Sequence, residues 1–313
     1  MSAILANTAI VTGAPEPARR RAGGGLWTAV RTNRKAMAGL IIFLIFAAMA
    51  AVPRLFTSVK HPNDAAQYAS LAHPGSQHWL GTTQLGQDIY AQLIYGTRQS
   101  LVIALIAGFF ATVLSVLIGV SAAYLGGIGD EALSLLTNVF LVLPTFPLII
   151  VLATYAGKGN LLVVIVVLVV TGWSYGANQL RAQTLSLRNR DFLESARVRG
   201  ERRSYIIVAE LLPTMTSLIV ANFLGAALYA VLTAAGLQFL GLGDPSSLSW
   251  GTMLYWSQND GALQSGYPVW AIAPGICVAL LGASFALLNY AFDEISNPAL
   301  RPVRRIRVKR TDS

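Results

Sequence analysis

Long apolar runs alternate with short polar ones along this chain, and the apolar runs have the length that a bilayer demands. A helix needs about 20 apolar residues to cross a hydrocarbon core. Six runs reach or approach that length, at residues 36–52, 101–125, 133–156, 161–177, 214–236 and 270–292. The fourth, "LLVVIVVLVV", is β-branched enough to resemble a buried strand. A lone strand would leave its backbone unpaired in lipid, so helix is the expectation there too. Pro144 and Pro147 fall inside the third run and predict a kink. No internal repeat of fixed period is visible.

Composition agrees with this pattern. Of the 313 residues, 54% are hydrophobic and 12% charged, about half the charge of a soluble domain. The expected fold class is an all-α integral membrane bundle of six transmembrane helices. About 35 mostly polar or small residues precede the first run, too many for an ordinary signal-peptide n-region, so that run reads as an uncleaved span. Residues 1–25, rich in Gly, Pro and Arg, read as a disordered tail.

Charge sets the orientation. The formal net charge is +9, but the cations are clustered as flanks of membrane spans rather than as a nucleic-acid surface. Six precede the first run, seven lie between the fourth and fifth, and six lie in the tail, making 19 of the 23 Lys and Arg residues. Six spans bring all three regions to one face, which the positive-inside rule makes cytosolic, with both termini there. The turn "GGIGDE" on the same face is acidic and goes against the trend. The loop from 244 to 268 has no Lys or Arg, and Trp250, Trp256 and Trp270 suit the opposite interface.

Candidate chemistry is sparse. Cys277 is the only cysteine, so no intrachain disulfide or cysteine metal cluster is possible; it reads as packing. His61, His73 and His78 share one loop and propose little metal chemistry. No run carries Lys or Arg, and none has Asp or Glu near its centre, which counts against an ion-coupled carrier. Asn138, Asn222, Gln238 and Asn289 are the polar candidates within the runs, for helix packing or for solute contact. Asp293 and Glu294 stand together at the cytosolic end of the last run, where solvated charge is the plain reading. No H-E-x-x-H motif and no paired carboxylates at bilayer depth support a membrane enzyme.

The basic stretch "RNRDFLESARVRGERRSYIIVAELLP", residues 188–213, holds a short amphipathic helix. Asp191 and Glu194 have capping-box spacing. Phe192 and Ala196 are expected on one face, with Leu193 beside them. Gly200 is placed to end the helix in the left-handed conformation. A helix of about eight residues is marginal alone in water, so it must rest on something. Its own bundle, a partner's groove reached through Ser195 and Ala196, and anionic lipid all remain open. On the opposite face "TTQLGQDIYAQLIYG" is expected to be a helix: Leu85, Ile89 and Gln92 follow i, i+4, i+7, with Asp88 holding the loop. A rigid spacer is the alternative.

Several motifs together resemble one family. "ESARVRG", nine residues, then "ELLP" is similar to the EAA loop of binding-protein-dependent ABC transporter permeases. Glu194, Ala196, Gly200, Leu212 and Pro213 fall in register, Ser195 replaces the middle alanine, and Glu210 stands where His or Ile is more usual. "HWLGTTQLGQDIYAQLIYGTRQSL" looks like the outer-loop signature of the C-type permease in the dipeptide/oligopeptide/nickel class. Thr83 replaces the usual Asp there and Gln87 the usual Arg, so an ion pair between them is lost. "FLGLG", "SWGTML" and the "AP-G" opening of the last run also match, and the resemblance covers about residues 30–301.

The resemblance implies a MetI-like permease bundle with a cytosolic coupling helix, in a plasma (inner) membrane importer that moves by alternating access. It divides the chain into a cytosolic tail (1–35), a first span with its extracytoplasmic loop (36–98), a five-helix core carrying the EAA-type loop (99–297) and a basic tail (298–313). Implied partners are a second homologous permease, two ABC ATPase subunits, an extracytoplasmic substrate-binding protein and membrane lipid, with no nucleic acid. The chain has no G-x-x-x-x-G-K-[ST] phosphate loop, so ATP and Mg are expected on the ATPase subunits and no cofactor or catalysis on this chain. Peptide is the implied solute. The ending "LLNYAFDEISNPALR" departs from the peptide permeases' G-D-x-L-R-D-x-L-D-P, which keeps oligosaccharide as a second expectation.

Overall fold

A computed structural model describes residues 33–155 and 160–296. The expected disordered N-terminal tail and basic C-terminal tail lie outside the described residues, as do the side chains of Asp293 and Glu294. The described chain is helical, with one isolated bridge between Thr82 and Asp88.

Ten helices carry the architecture: α1 (Arg34–Ala51), α2 (Ile89–Leu125), α3 (Gly127–Val142), α4 (Thr145–Tyr155), α5 (Leu161–Gly172), α6 (Ser174–Leu187), α7 (Asp191–Val198), α8 (Thr216–Phe239), α9 (Trp250–Asn259) and α10 (Pro268–Ser296). Five stretches are long and apolar enough to cross a membrane, α5 and α6 counting as one, and a sixth appears if α3 and α4 form one broken span. The central packing runs α6–α2–α8–α10–α1. Lipid tails are as apolar as leucine, so these helices are held by close van der Waals approach rather than by expulsion of water. Small residues permit that approach. A Cβ on Gly108 of α2 would lie 2.9 Å from the backbone of Ala227 on α8, and one on Gly119 would collide with the carbonyl of Ala177 on α6.

The second span differs from its expected limits. It starts at Ile89 rather than Leu101 and runs 37 residues, about 55 Å at the usual helical rise, longer than a hydrocarbon core of about 30 Å. The polar "YAQLIYGTRQS" segment is therefore the first three turns of one rod. The third span is broken rather than kinked: α3 and α4 meet at 93°. Pro144 explains the break, because a residue before proline is driven out of the helical region, and Leu143 sits at φ −61°, ψ 134°. Pro147 lies in the first turn of α4, where a missing N–H costs nothing.

At the Asp88 end of α2, α9 locks into the bundle. Trp250 is fully buried, its Nε1 donating to the Leu93 carbonyl (3.0 Å) and its backbone N–H to Ser100 Oγ (3.1 Å). Phe46 of α1 meets its ring edge-on at 5.1 Å. Gln238 accepts from Ser249 Oγ at 2.8 Å, so this polar candidate joins α8 to the start of α9.

Candidate functional site

The 188–213 loop folds at the end of the bundle where α2 terminates. Helix α7 covers Asp191–Val198, as the pattern predicts, but it has no capping box. Its N-cap is Arg190, with no side-chain capping bond, and Asp191 is already the first helical residue. Asp191 and Glu194 instead place negative charge in the first turn, where the helix dipole favours it. Ser195 Oγ donates back to the Asp191 carbonyl at 2.8 Å. Gly200 takes φ +78°. Its N–H bonds to Arg197 O (2.9 Å) and that of Glu201 to Ala196 O (3.2 Å), the paired bonds of a Schellman ending.

Leu193 and Ala196 are the residues of α7 that face inward. Both are fully buried, packed with Val120, Leu180, Ile206, Leu211 and Met215 of this same chain. This corrects one expectation: Ala196 is not available to a partner, because its small size serves close packing within the bundle. Phe192, one turn before it on the same side, stays 39% exposed at the edge of the packed face. The outward surface carries Phe192, Ser195 and Val198, the last 84% exposed, beside Arg199. Tyr205 and Val208, just beyond, are exposed as well. Glu210 lies in a π-turn, Ile206–Leu211, and approaches Arg199 at 3.6 Å. Pro213 follows in the next turn; the wide π geometry accommodates a residue with no N–H to donate.

Arginines fasten the loop to its neighbours. Arg197 donates to the Arg188 carbonyl (2.9 Å) and lies 5.6 Å over the Tyr124 ring. Arg188 donates to the Ala123 carbonyl (3.2 Å) in the last turn of α2. Arg181 of α6 binds Asp130 of α3 through two bonds, 2.6 and 2.9 Å. The acidic turn that opposed the charge trend is thus partnered by one of the loop-side cations.

At mid-bundle a cavity of about 320 Å³ opens between α3–α4, α5–α6, α8 and α10. Its polar lining includes Ser115, Thr171, Gln179, Asn222, Tyr229 and Asn289. Thr171 Oγ1 and Tyr229 OH are 3.2 Å apart, and Asn222 Nδ2 donates to Leu218 O at 3.1 Å. Two of the four polar candidates, Asn222 and Asn289, therefore meet here. Asn138 is exposed on α3 and is not part of the lining. Tyr229, Thr171 and Ser115 went unsingled in the sequence; a hydroxyl in an apolar run was the available signal.

At the opposite end, Leu85 and Ile89 do not form the expected helical stripe. Gly86 has φ +70°, Leu85 is 57% exposed outside any helix, and Ile89 is the first residue of α2. Asp88 does hold the loop, as the N-cap of α2: it accepts from Tyr90 N (2.8 Å) and Ala91 N (3.2 Å). His78 Nδ1 lies 3.8 Å from its other oxygen. Thr83 and Gln87, which stand where the resemblance has an ion pair, keep a neutral contact: Thr83 Oγ1 is 3.2 Å from both Gln87 Oε1 and Gln87 N.

Residues 115–300 match the family described as "Binding-protein-dependent transport system inner membrane component". The chain belongs to that family. This inner membrane component is 31% identical over 278 residues to the oligopeptide transport system permease protein OppC of Mycobacterium tuberculosis (strain ATCC 25618 / H37Rv), covering 87% of this chain and 93% of the relative. It is 30% identical over 278 residues to the dipeptide transport system permease protein DppC of Bacillus subtilis (strain 168), covering 88% and 85%. In fold it matches a chain of the MetNI methionine ABC transporter in inward facing conformations, with a TM-score of 0.52 and 20% identity over 67% of this chain and 97% of that one. The family match begins at Ser115 and so takes in the cavity, α7 and the π-turn. The protein is a multi-pass inner membrane transport component, and its MetI-like helical fold is the one expected.

Proposed function

We propose that this chain forms half of the translocation path of an ATP-driven peptide importer, and that α7 is its coupling helix. The observation that carries the reading is the α7 surface. A helix with EAA-loop register buries Leu193 and Ala196 in its own bundle and turns Phe192, Ser195 and Val198 outward. Exposed apolar residues inside a loop rich in arginine suit a protein groove better than water or an anionic lipid surface. The groove belongs to one of two ATPase subunits, which carry ATP and Mg. A second, homologous permease completes the path, and an extracytoplasmic binding protein delivers the solute. Peptide is the proposed solute because oligopeptide and dipeptide permeases are similar along most of their length.

In this reading the α7 end is cytosolic, both termini lie on that side, and the Asp88 loop faces outward. Closure of the ATPases pushes α7, and the Leu193–Ala196 face passes the motion to Val120 on α2 and Leu180 on α6. Rod α2 reaches the outer loop, where Asp88 caps it. The cavity, with hydroxyl and amide groups and no charged side chain in its lining, offers hydrogen bonds without a deep electrostatic well. A path must let its solute leave, and such a lining does.

The test is uptake of a labelled oligopeptide into cells or proteoliposomes containing the assembled transporter. Uptake blocked by vanadate and indifferent to a protonophore supports the reading. Uptake abolished by the protonophore alone contradicts it, and uptake of an oligosaccharide instead of peptide changes the solute class.

A further inference from the structure

Helix α3 is a wall of the cavity with unusually little to hold it. Within this chain Thr137 is its one buried residue among the 16 of the helix. Both of its ends are joints. At the start, Gly126 and Gly127 take φ +67° and +57°, and a Cβ on Gly127 would meet nothing within 4 Å. At the far end stands the 93° break before Pro144. Between these joints the helix is tied to α6 by Asp130, whose carboxylate takes both the Nε and the Nη2 of Arg181. Ser134 Oγ donates to the same carboxylate at 3.0 Å and fixes its orientation.

The two residues stand just beyond the cavity. Phe140 and Leu141 of α3 and Tyr175 and Gln179 of α6 line it. Arg181 follows Gln179 by two positions, toward α7, and Asp130 lies at the α7-side end of α3. The ion pair thus joins the two walls on the side where the loop arginines gather. We propose that the Asp130–Arg181 pair is a latch on the cytosolic end of the translocation path, and that α3 swings on its glycine and proline joints when the latch opens. Arg188, which lies 3.8 Å from the Cβ position of Gly126 and donates to Ala123 O, places the joint under the same loop that carries α7. A bidentate guanidinium–carboxylate pair suits a latch: it is directional, and it exchanges readily for water where the side chains are partly exposed, as both are here.

The latch rests on the reading of the cavity as path, and one experiment separates the two. Gln179→Cys is placed in a Cys277→Ala background in the assembled transporter, in inside-out vesicles without nucleotide. The rate of its modification by a membrane-impermeant maleimide is compared for the parent, Asp130→Asn, Arg181→Gln and the exchanged pair Asp130→Arg with Arg181→Asp. The latch predicts a rate several-fold above the parent's in each single variant and a return toward the parent rate in the exchanged pair. Exchange would rescue a purely stabilising pair as well, so the unfolding temperature is read beside the rate: the latch predicts faster modification at an unchanged unfolding temperature, and a rate that rises only together with a lowered unfolding temperature overturns it. Equal rates in all four forms overturn the latch and leave the path standing. No modification in any form removes the cavity from the path and the latch with it.

Discussion

Arg188, the residue that ends α6, donates to the carbonyl of Ala123 in the last turn of α2, 65 positions earlier in the chain. The last four carbonyls of a helix have no partner inside it, and a cation there also meets the negative end of the dipole. One side chain thus satisfies a helix end and ties the longest rod of the bundle to the loop that carries α7. Arg188→Ala is expected to cost about 0.5–1 kcal/mol in stability and Arg188→Lys less. Thermal unfolding of the detergent-purified complex measures both. Equal midpoints for the alanine form and the parent would show that the contact contributes nothing.

Gly200 supplies a sharper case. Its φ of +78° closes α7, yet a Cβ there would meet nothing within 4 Å. Any cost of substitution is therefore backbone strain, about 1–2 kcal/mol for a residue with a Cβ. Gly200→Val is expected to lower substrate-stimulated ATP hydrolysis, while Gly200→Asn, which tolerates the left-handed region, retains most of it. Equal activity of the two variants would rule out the left-handed turn as the cause.

Asp88 is expected to act through its cap on α2. Asp88→Ala loses two backbone hydrogen bonds and about 1 kcal/mol; Asp88→Asn keeps an oxygen acceptor and most of the stability. Limited proteolysis of the 53–88 loop reads the difference. If the alanine variant is no more susceptible than the asparagine one, the loop is held by something else.

Orientation is tested by single cysteines in a Cys277→Ala background. Ser76→Cys and Glu201→Cys are both exposed, on opposite ends of the bundle. An impermeant reagent added to intact cells should label the first and spare the second. Labelling of Glu201→Cys from outside would reverse the assignment.

The apolar runs and the end of α7 were legible in the sequence because each rests on local chemistry: hydrocarbon length and the left-handed glycine. The start of α7 was not, since Asp191 stands inside the helix rather than capping it. What else escaped the sequence was nonlocal. Nothing in the 188–213 stretch tells whether Ala196 or Phe192 faces the bundle, since that depends on Val120 and Leu180 in other spans. The helix expected in the outer loop is the start of the second span, and that continuity was hidden because its polar first turns pack under α9, through Ser100 and Leu93 bonding to Trp250, rather than against lipid. Pro144 announced a kink, and the 93° break needed the tertiary setting to set its size. The Asp130–Arg181 pair spans 51 positions and showed only as an anomaly, an acidic turn on a basic face.

Coupling through the outward face of α7 is the central claim, and its position within the chain dictates the test. Ala196→Arg is the wrong substitution, because a guanidinium forced among Leu180, Leu193 and Met215 would disrupt the bundle itself. Val198 is on the same helix but 84% exposed, so Val198→Arg leaves this chain's packing alone. The decisive measurement is substrate-stimulated ATP hydrolysis by the assembled transporter carrying Val198→Arg, with unfolding temperature as its control. The expected result is an unchanged unfolding temperature with stimulation lost; normal stimulated hydrolysis would mean that α7 is a basic surface patch and that coupling runs elsewhere.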